Sequence, residues 1–199
     1  MTKKEKKEIQ KHIDAIIDET FITLNKIDKS KPNSSRLIFP TYRGEIKVTR
    51  YCEQELRFVF VETFNKYCRK HKLGWHYSVE TPTIDTYSGF SGKALPTKDP
   101  SGQSAMIDLV IHDENRQRIA LIEFKANQVS KTKFDKDFKK LQNEPEESLR
   151  YFVMYVIAPD PHRALNALKR KIGSKDSNTT FVCYDLLHAE YLIDERKKV

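Results

Sequence analysis

The chain has 199 residues, of which 38% are hydrophobic and 32% are charged, a balance typical of globular domains and not of disordered chains. No segment approaches the roughly 20 apolar residues that a membrane span needs, and the charged N-terminus lacks the apolar core of a signal peptide. The three cysteines, Cys52, Cys68 and Cys183, form no disulfide framework and include no C-x-x-C zinc pair. Together these features predict a cytoplasmic protein with reduced thiols and no membrane partner.

The formal net charge of +8 and the isoelectric point near 9.2 favour polyanionic partners. Nucleic acid is the first candidate, although many basic proteins bind none. Charge alone therefore leaves a nucleic-acid-binding function open without establishing it.

Residues 1–30 predict an N-terminal amphipathic helix. Apolar side chains recur at helical spacing between Lys, Glu and Asp, namely at Ile9, Ile13, Ile16, Ile17, Phe21 and Leu24. Such a helix either packs on the surface of the following domain or dimerises, so a homodimer is an open alternative. Residues 29–36 are rich in Lys, Ser, Pro and Asn and favour a linker, and residues 31–199 are expected to form the main domain.

The main domain alternates helical and strand patterns. The elements expected in chain order are a helix near 52–71 that ends at Gly74, strands over 75–81, 105–112 and 118–126, a helix over 131–143, a strand over 151–158, a helix over 161–172 and a strand over 180–186. The segment from Pro82 to Ser104 has three glycines and three prolines and is expected to be a functional or mobile loop. This alternation predicts the α/β class.

Three charged residues interrupt strands that are otherwise apolar. Asp108 lies within AMIDLVIH, and Glu123 and Lys125 lie within RIALIEFKA, where their spacing of two directs them to the same face. Strands that are apolar on both faces belong to the centre of a covered sheet, where an unpaired charge is expensive. Such groups must pair, bind a cation or line a cleft. A plain salt bridge at a sheet edge is the alternative for an E-x-K sequence considered alone.

The register of the predicted hairpin decides whether Asp108 joins this face. If the loop has an even number of residues and His112 faces Gln117, Asp108 faces Leu121 and is the diagonal neighbour of Glu123, roughly 7 Å away. An odd loop would send Asp108 to the opposite face. Two carboxylates at that separation suit one hard cation, which can polarise a phosphate oxygen and activate a bound water. A nearby ammonium can orient that water.

Asp108, fourteen intervening residues and then Glu123-Phe124-Lys125 resemble the signature of the PD-(D/E)xK nuclease superfamily. The resemblance covers about residues 52–186 and departs from the name-giving motif at Ile107, where proline would stand, although many members lack that proline. It implies a restriction-endonuclease-like α/β/α sandwich with a central mixed sheet and the core order αβββαβ, preceded here by the N-terminal helix. The order of elements predicted above is similar to that core.

The resemblance also implies an activity. It implies a metal-dependent endonuclease that acts on DNA, with RNA as the alternative substrate, Mg²⁺ as the cofactor and Mn²⁺ as a substitute. Asp108 and Glu123 would bind the metal, aided by the main-chain carbonyl of Phe124, and Lys125 would assist the attacking water.

Family members often add a glutamate from the first core helix. The segment CEQELRFVFVE offers Glu53, Glu55 and Glu62 for this role. Acids near a helix N-terminus are also favoured by the helix dipole, whatever their function. Glu55 is the predicted additional ligand and catalytic residue, with Glu53 as the second choice.

Two basic clusters are candidates for nucleic-acid contact. The first follows the E-x-K strand and comprises Lys131, Lys133, Lys136 and Lys140, and the second comprises Arg163, Lys169, Arg170 and Lys171. Phosphate contacts of this kind position a duplex without reading its sequence and weaken steeply with added salt. Basic helices are often only solvated faces, so these contacts are expectations. The loop around Tyr87, Phe90 and Lys93 is a further candidate for stacking on a base or entering a groove.

Two other functions remain open from the residues alone. A nuclease-like module could bind nucleic acid or a partner protein without cutting, although the intact Asp108, Glu123 and Lys125 argue against lost catalysis. An assembly subunit would use the Ile-rich N-terminal helix.

Overall fold

Four helices and nine strands make up the part of the chain that a computed structural model describes, which comprises residues 2–42, 48–88, 97–127, 130–173 and 178–197. The helices are α1 (Lys3–Asp28), α2 (Glu53–His71), α3 (Lys131–Asn143) and α4 (Pro161–Ile172). The strands are β1 (Thr41–Tyr42), β2 (Val48–Thr49), β3 (His76–Ser88), β4 (Thr97–Lys98), β5 (Gln103–His112), β6 (Arg118–Ala126), β7 (Leu149–Val156), β8 (Thr179–Asp185) and β9 (Glu190–Asp194). A single 3₁₀ turn, Glu195–Lys197, follows β9.

Seven of the described strands form one mixed sheet in the order β4-β3-β5-β6-β7-β8-β9. The neighbours β6, β7 and β8 run parallel, and the other pairs are antiparallel. Parallel neighbours need a crossover connection, and α3 and α4 supply it here. The α/β class with a mixed sheet is therefore confirmed. The strands β1 and β2 pair with each other outside this sheet.

Helices cover both faces of the sheet. On one face, α1 and α2 share a core with the sheet that includes Phe21, Phe60 and Phe124. On the other face, α3 and α4 share a second core with the sheet that includes Phe134 and Phe152. The central strands are therefore buried on both sides, as their continuous apolar runs predict. None of the described helices has both the length and the apolar character that crossing a bilayer requires.

The N-terminal helix α1 contributes to the first core. In its apolar stripe Ile13, Ile17 and Leu24 are fully buried, and Ile9 is partly buried. Phe21 of this helix stacks on Tyr184 of β8 with the ring centroids 4.8 Å apart. The predicted amphipathic helix is confirmed, and the stripe that a dimerisation helix would use is covered by the chain itself. The homodimer stays a prediction.

The strand β3 is longer than the sequence predicts. A loop was expected from Pro82 to Ser104, but β3 continues to Ser88, and β4 and the first residues of β5 lie in the same segment. Proline is tolerated because β4 pairs with β3 only at the last two residues of β3, so no described strand lies on the outer edge beside Pro82. The carbonyl of Pro82 accepts a hydrogen bond from Arg118 at 2.9 Å. Phe90 and Lys93, proposed above for base contact, lie outside the described residues.

The hairpin between β5 and β6 has an odd loop, where the sequence predicted an even one. His112 faces Arg118 and not Gln117, so five residues separate the two strands. Toward the sheet centre the register then shifts by one residue, because Ile119 is an extra residue in β6. This is a β-bulge, in which two residues of one strand oppose one residue of its partner.

The bulge offsets the effect of the odd loop on Asp108, because an odd loop alone would place Asp108 on the face opposite to Glu123 and Lys125. Beyond the bulge Leu109 faces Ile122, the last of the four residue pairs between β5 and β6, and Asp108 and Glu123 are the residues that follow this pair on the two strands. The odd loop and the one-residue bulge cancel in the register, and Asp108 lines the same cleft as Glu123 and Lys125. The predicted pairing of Asp108 with Leu121 is wrong.

Candidate active site

Glu123 and Lys125 lie on the α3 side of β6, next to Asp108 on β5. Leu121 packs in the second core and Phe124 in the first, so the alternation along β6 directs Glu123 and Lys125 toward α3. Glu123 is 1% exposed and Lys125 is 6% exposed, while the side chain of Asp108 is 13% exposed. Two buried charged groups and the half-buried carboxylate of Asp108 thus lie close together, and each needs a partner.

Lys140 of α3 is the counter-ion of Glu123. Its Nζ lies 2.9 Å from Oε1 of Glu123. Burial raises the pKa of Glu123 well above its usual value, and the neighbouring Asp108 raises this pKa further, whereas Lys140 lowers it. The ionised form of Glu123 therefore depends on a nearby cation.

Both carboxylate oxygens of Asp108 have partners within the protein. Oδ1 accepts a hydrogen bond from Arg57 of α2 at 2.8 Å, and Oδ2 accepts one from the main-chain N–H of Phe124 at 2.8 Å. Arg57 also pairs with Glu80 of β3 at 2.7 Å. The arginine links α2 to β3 and β5 and holds Asp108 against the strand that carries the E-x-K residues.

The ammonium of Lys125 has three oxygen partners. They are the main-chain carbonyl of Phe124 at 2.9 Å, Glu53 of α2 at 3.2 Å and Asp137 of α3 at 3.0 Å. Burial by itself would lower the pKa of Lys125, but Asp137, then Asp108 and Glu53, raise it above its usual value. Lys125 is therefore a firmly charged cation that ties the helices of both faces to the centre of the site.

Helix α3 supplies two site residues, of which the sequence analysis missed Asp137 and assigned Lys140 only to nucleic-acid contact. Phe134 and Phe138 anchor α3 in the second core, and Asp137 and Lys140 lie one turn apart beside this apolar stripe. Asp137 bridges the ammonium groups of Lys125 and Lys140 at 3.0 and 2.9 Å. The sequence offered one signal for Asp137, namely an acidic residue next to the apolar stripe of a helix that is otherwise rich in lysine.

The structure corrects the choice of glutamate on α2. Glu55, the predicted additional ligand, caps its own helix, because its Oε2 accepts a hydrogen bond from the main-chain N–H of Cys52 at 2.9 Å. Its Oε1 pairs with Arg50 at 3.4 Å. Glu53 is the glutamate that reaches the site, through the ammonium described above. Glu62 is exposed in the second half of the helix.

The donor atoms of the site fit a hard divalent cation. The carboxylates of Asp108 and Glu123 and the main-chain carbonyl of Phe124 are oxygen ligands, the type that Mg²⁺ prefers. All three already contact cationic side chains of the chain, so a metal ion would have to compete with them. Among the described residues, no group of three or more His, Cys, Asp and Glu side chains is arranged to hold a metal ion. A metal here would depend on two carboxylates and a carbonyl.

A cleft of about 390 Å³ opens beside these groups. It is lined by the three predicted catalytic residues of β5 and β6, and also by Lys136 and Lys140. Lys131 and Lys133 are exposed in the first turn of α3. The first basic cluster therefore borders the site, with Lys140 inside it.

The second basic cluster surrounds a different cavity. Arg163, Arg170 and Lys171 of α4 contribute to the lining of a cavity of about 660 Å³ next to the ends of β6 and β7, and Lys169 is exposed on the same helix. The described lining of this cavity includes none of the three predicted catalytic residues. The structure thus brings the first cluster, and not the second, to the candidate active site.

Comparisons of the chain with protein-family models, with curated proteins and with solved structures gave no match. The resemblance to the PD-(D/E)xK signature accordingly rests on Asp108, Glu123, Lys125 and the order of the elements that carry them.

Proposed function

We propose that the protein is a metal-dependent nuclease of restriction-endonuclease-like fold that hydrolyses phosphodiester bonds in DNA. One observation carries the proposal: Asp108, Glu123 and Lys125 line one cleft beside α3. Two carboxylates that line one cleft can share one hard cation. Apart from the short β4, the order α2, β3, β5, β6, α3, β7 is an αβββαβ core and supports the fold assignment.

The residues of the site would supply binding, orientation and charge. Asp108 and Glu123 would hold Mg²⁺ or Mn²⁺ together with the carbonyl oxygen of Phe124. Such an ion, when bound, polarises a phosphate oxygen and lowers the pKa of a bound water. Lys125, which the surrounding carboxylates keep cationic, orients the attacking water and offsets negative charge that develops on the phosphate. Burial strengthens these interactions because little solvent screens them.

The lysines of α3 supply a path for the phosphate backbone to the site. Lys136 lines the same cleft as Asp108 and Glu123, and Lys131 and Lys133 are exposed at the start of the helix. Phosphate contacts of this type fix the position of a nucleic acid without reading its bases. These lysines support a polyanionic substrate. At these contacts, binding would depend little on the nucleotide sequence.

Cleavage of supercoiled plasmid and of labelled DNA and RNA oligonucleotides tests the proposed activity. We expect wild type to cut with Mg²⁺ or Mn²⁺ and not in EDTA. Asp108→Asn keeps the side-chain shape but removes the charge, and Lys125→Met removes the ammonium, so each should slow cleavage at least about 100-fold. Lys66→Met removes an exposed charge from the second half of α2 and should cut like wild type. Equal degradation by wild type and both site variants would refute the assignment.

A catalytically silent module that binds nucleic acid or a partner protein is the second candidate. The ion pairs of Arg57 with Asp108 and of Lys140 with Glu123 favour it, because they satisfy both acids without a metal. Calorimetric titration with Mn²⁺ separates the two candidates. A nuclease should release or absorb heat that disappears in Asp108→Asn, whereas a silent module should give no heat that depends on Asp108.

A further inference from the structure

Lys140 is held inside the site by three oxygen atoms of the protein. Its Nζ lies 2.9 Å from Oε1 of Glu123, 2.9 Å from Oδ1 of Asp137 and 2.8 Å from the main-chain carbonyl of Met106. The Met106 carbonyl accepts a hydrogen bond from the ammonium, and the two carboxylates are its ion-pair partners. Only 12% of the Lys140 side chain is exposed. The ammonium is an internal cation of the site and not an arm extended into solvent.

This cation lies on the carboxylate that the proposed function requires for the metal. Glu123 is almost fully buried, and a buried carboxylate without a counter-ion is strongly unfavourable. Lys140 supplies that counter-ion, and Asp137 fixes Lys140 in place by bridging it to the ammonium of Lys125. Glu123 therefore has two alternative cations, one built into α3 and one from solution.

We propose that Lys140 is a built-in counter-ion that competes with a divalent metal for Glu123 and so sets the metal affinity of the site. This inference rests on the proposed nuclease function. It gives Lys140 a positioning role that differs from the phosphate contact predicted from the sequence. When a divalent ion binds Glu123, Lys140 still has Asp137 and the carbonyl of Met106 as partners. Its ammonium is therefore not left without oxygen partners.

Lys140→Met removes the competing charge and keeps a side chain of similar length. We expect the affinity for Mn²⁺ to rise about tenfold, because the divalent ion no longer displaces or meets a like charge. Without metal the variant should unfold at a lower temperature than wild type, because Glu123 has lost its counter-ion. Addition of Mn²⁺ should then raise the Tm of the variant by more than it raises the Tm of wild type.

The experiment is a calorimetric titration of the full chain with Mn²⁺ alone, at a single alkaline pH, together with thermal unfolding in EDTA and in Mn²⁺. Lys66→Met is the matched control, since it removes one lysine charge from an exposed helical position and should behave like wild type in both measurements. Lys140→Gln, which removes the charge but keeps a polar side chain, is measured alongside and provides the same comparison if Lys140→Met does not fold in EDTA. In a Glu123→Gln background, replacement of Lys140 should no longer raise the affinity.

The outcomes separate this inference from the proposed function. If wild type binds Mn²⁺ and the Lys140 variants bind it equally well or more weakly, the counter-ion role is overturned and the nuclease proposal stands. If wild type binds no Mn²⁺ and cuts no nucleic acid, both are overturned. Tighter binding by both Lys140 variants, with Lys66→Met unchanged, supports the inference.

Discussion

Asp137 bridges the two lysines of the candidate site, and its replacement by asparagine tests whether this ion network stabilises the protein. Asp137→Asn keeps the shape of the side chain and its ability to accept hydrogen bonds, but it removes the negative charge. In the wild type Oδ2 lies 3.0 Å from Nζ of Lys125, Oδ1 lies 2.9 Å from Nζ of Lys140, and 19% of the side chain is exposed.

The expected loss follows from these distances. Each contact corresponds to a gross attraction of about 5 kcal/mol at a separation of about 3 Å and an effective dielectric constant of about 20. The net value is smaller, because burial of Asp137 opposes it and the lysines keep Glu53 and Glu123 as partners. Removing one partner of a buried ion pair costs about 3–5 kcal/mol, and asparagine retains part of the interaction, so we expect the free energy of unfolding to fall by about 2–3 kcal/mol.

Urea denaturation followed by circular dichroism, in EDTA and near neutral pH, measures this change. Glu62→Gln removes an exposed carboxylate from α2 and serves as the control, with an expected change within about 0.5 kcal/mol. A loss below about 0.5 kcal/mol for Asp137→Asn would refute the view that the network stabilises the folded chain.

The effect also has a defined dependence on pH. Burial would raise the pKa of Asp137, but Lys140 and then Lys125 outweigh it and lower this pKa below its usual value. The stabilisation is therefore present above the unfolded pKa of about 3.9 and is lost as the pH falls through the lower folded pKa. The deficit of Asp137→Asn should stay constant from neutral to mildly acidic pH and shrink only in strongly acidic solution.

Two further predictions concern residues outside the network. Burial raises the pKa of Asp14 on α1 to about 6, although its hydrogen bond from Tyr151 and the charge of Arg196 lower this pKa. Between about pH 4 and 6 the folded state therefore binds a proton that the unfolded state does not. The folded state loses this stabilisation as the pH rises through that range. Asp14→Asn, which still accepts that hydrogen bond, should raise the free energy of unfolding by about 1–2 kcal/mol above pH 6 and give no gain below about pH 4; urea titrations at both pH values check this, and an equal effect at the two would contradict it. A Cβ atom at Gly102 would lie 2.3 Å from the carbonyl oxygen of Tyr87, so Gly102→Ala must displace backbone and should cost about 1–3 kcal/mol. Differential scanning calorimetry should show a lower Tm for that variant, and an unchanged Tm would mean that the turn before β5 yields without strain.

The elements that local signals define could be predicted from the sequence. The helices α3 and α4 and the strand β6 begin and end at the predicted residues. Apolar spacing marks the bodies of the two helices, and the side chains of Ser130 and Asp160 cap their first turns by accepting hydrogen bonds from main-chain N–H groups. The extension of β3 past Pro82 could not be predicted in the same way. Whether a proline is tolerated there depends on which strand lies beside it, and that is a property of the assembled sheet.

The candidate site divides along the same line. Alternation along β6 was enough to predict that Glu123 and Lys125 share a face. The bulge at Ile119 was not readable, because Ile119 and Ala120 are both buried in the first core and a continuous apolar run does not mark its extra residue. The role of Asp137 was also hidden, since it depends on how α3 docks against the sheet.

The choice between Glu53 and Glu55 was partly available from the sequence. A glutamate three residues after the position that precedes a helix matches the capping pattern, and Glu55 follows Cys52 at that spacing. The capping pattern therefore predicts that Glu55 caps the helix, and Glu53 is then the glutamate that remains available to the site. The side of α2 that faces β6, however, is set by tertiary packing.

The five-residue loop at 113–117 and the bulge at Ile119 together decide on which face of the sheet Asp108 lies. A peptide inserted into this hairpin must therefore keep the odd number of loop residues if the bulge is kept. We expect an inserted peptide that keeps an odd loop length and the bulge to leave Asp108 beside Glu123. A loop of even length keeps the two acids together only if the bulge at Ile119 is lost. With the bulge retained, it would turn β5 over relative to β6 and point the Asp108 carboxylate toward the first core, which includes Phe60 and Phe124. We therefore expect this hairpin to accept an inserted peptide close to the candidate active site, with the length of the insert mattering more than its composition.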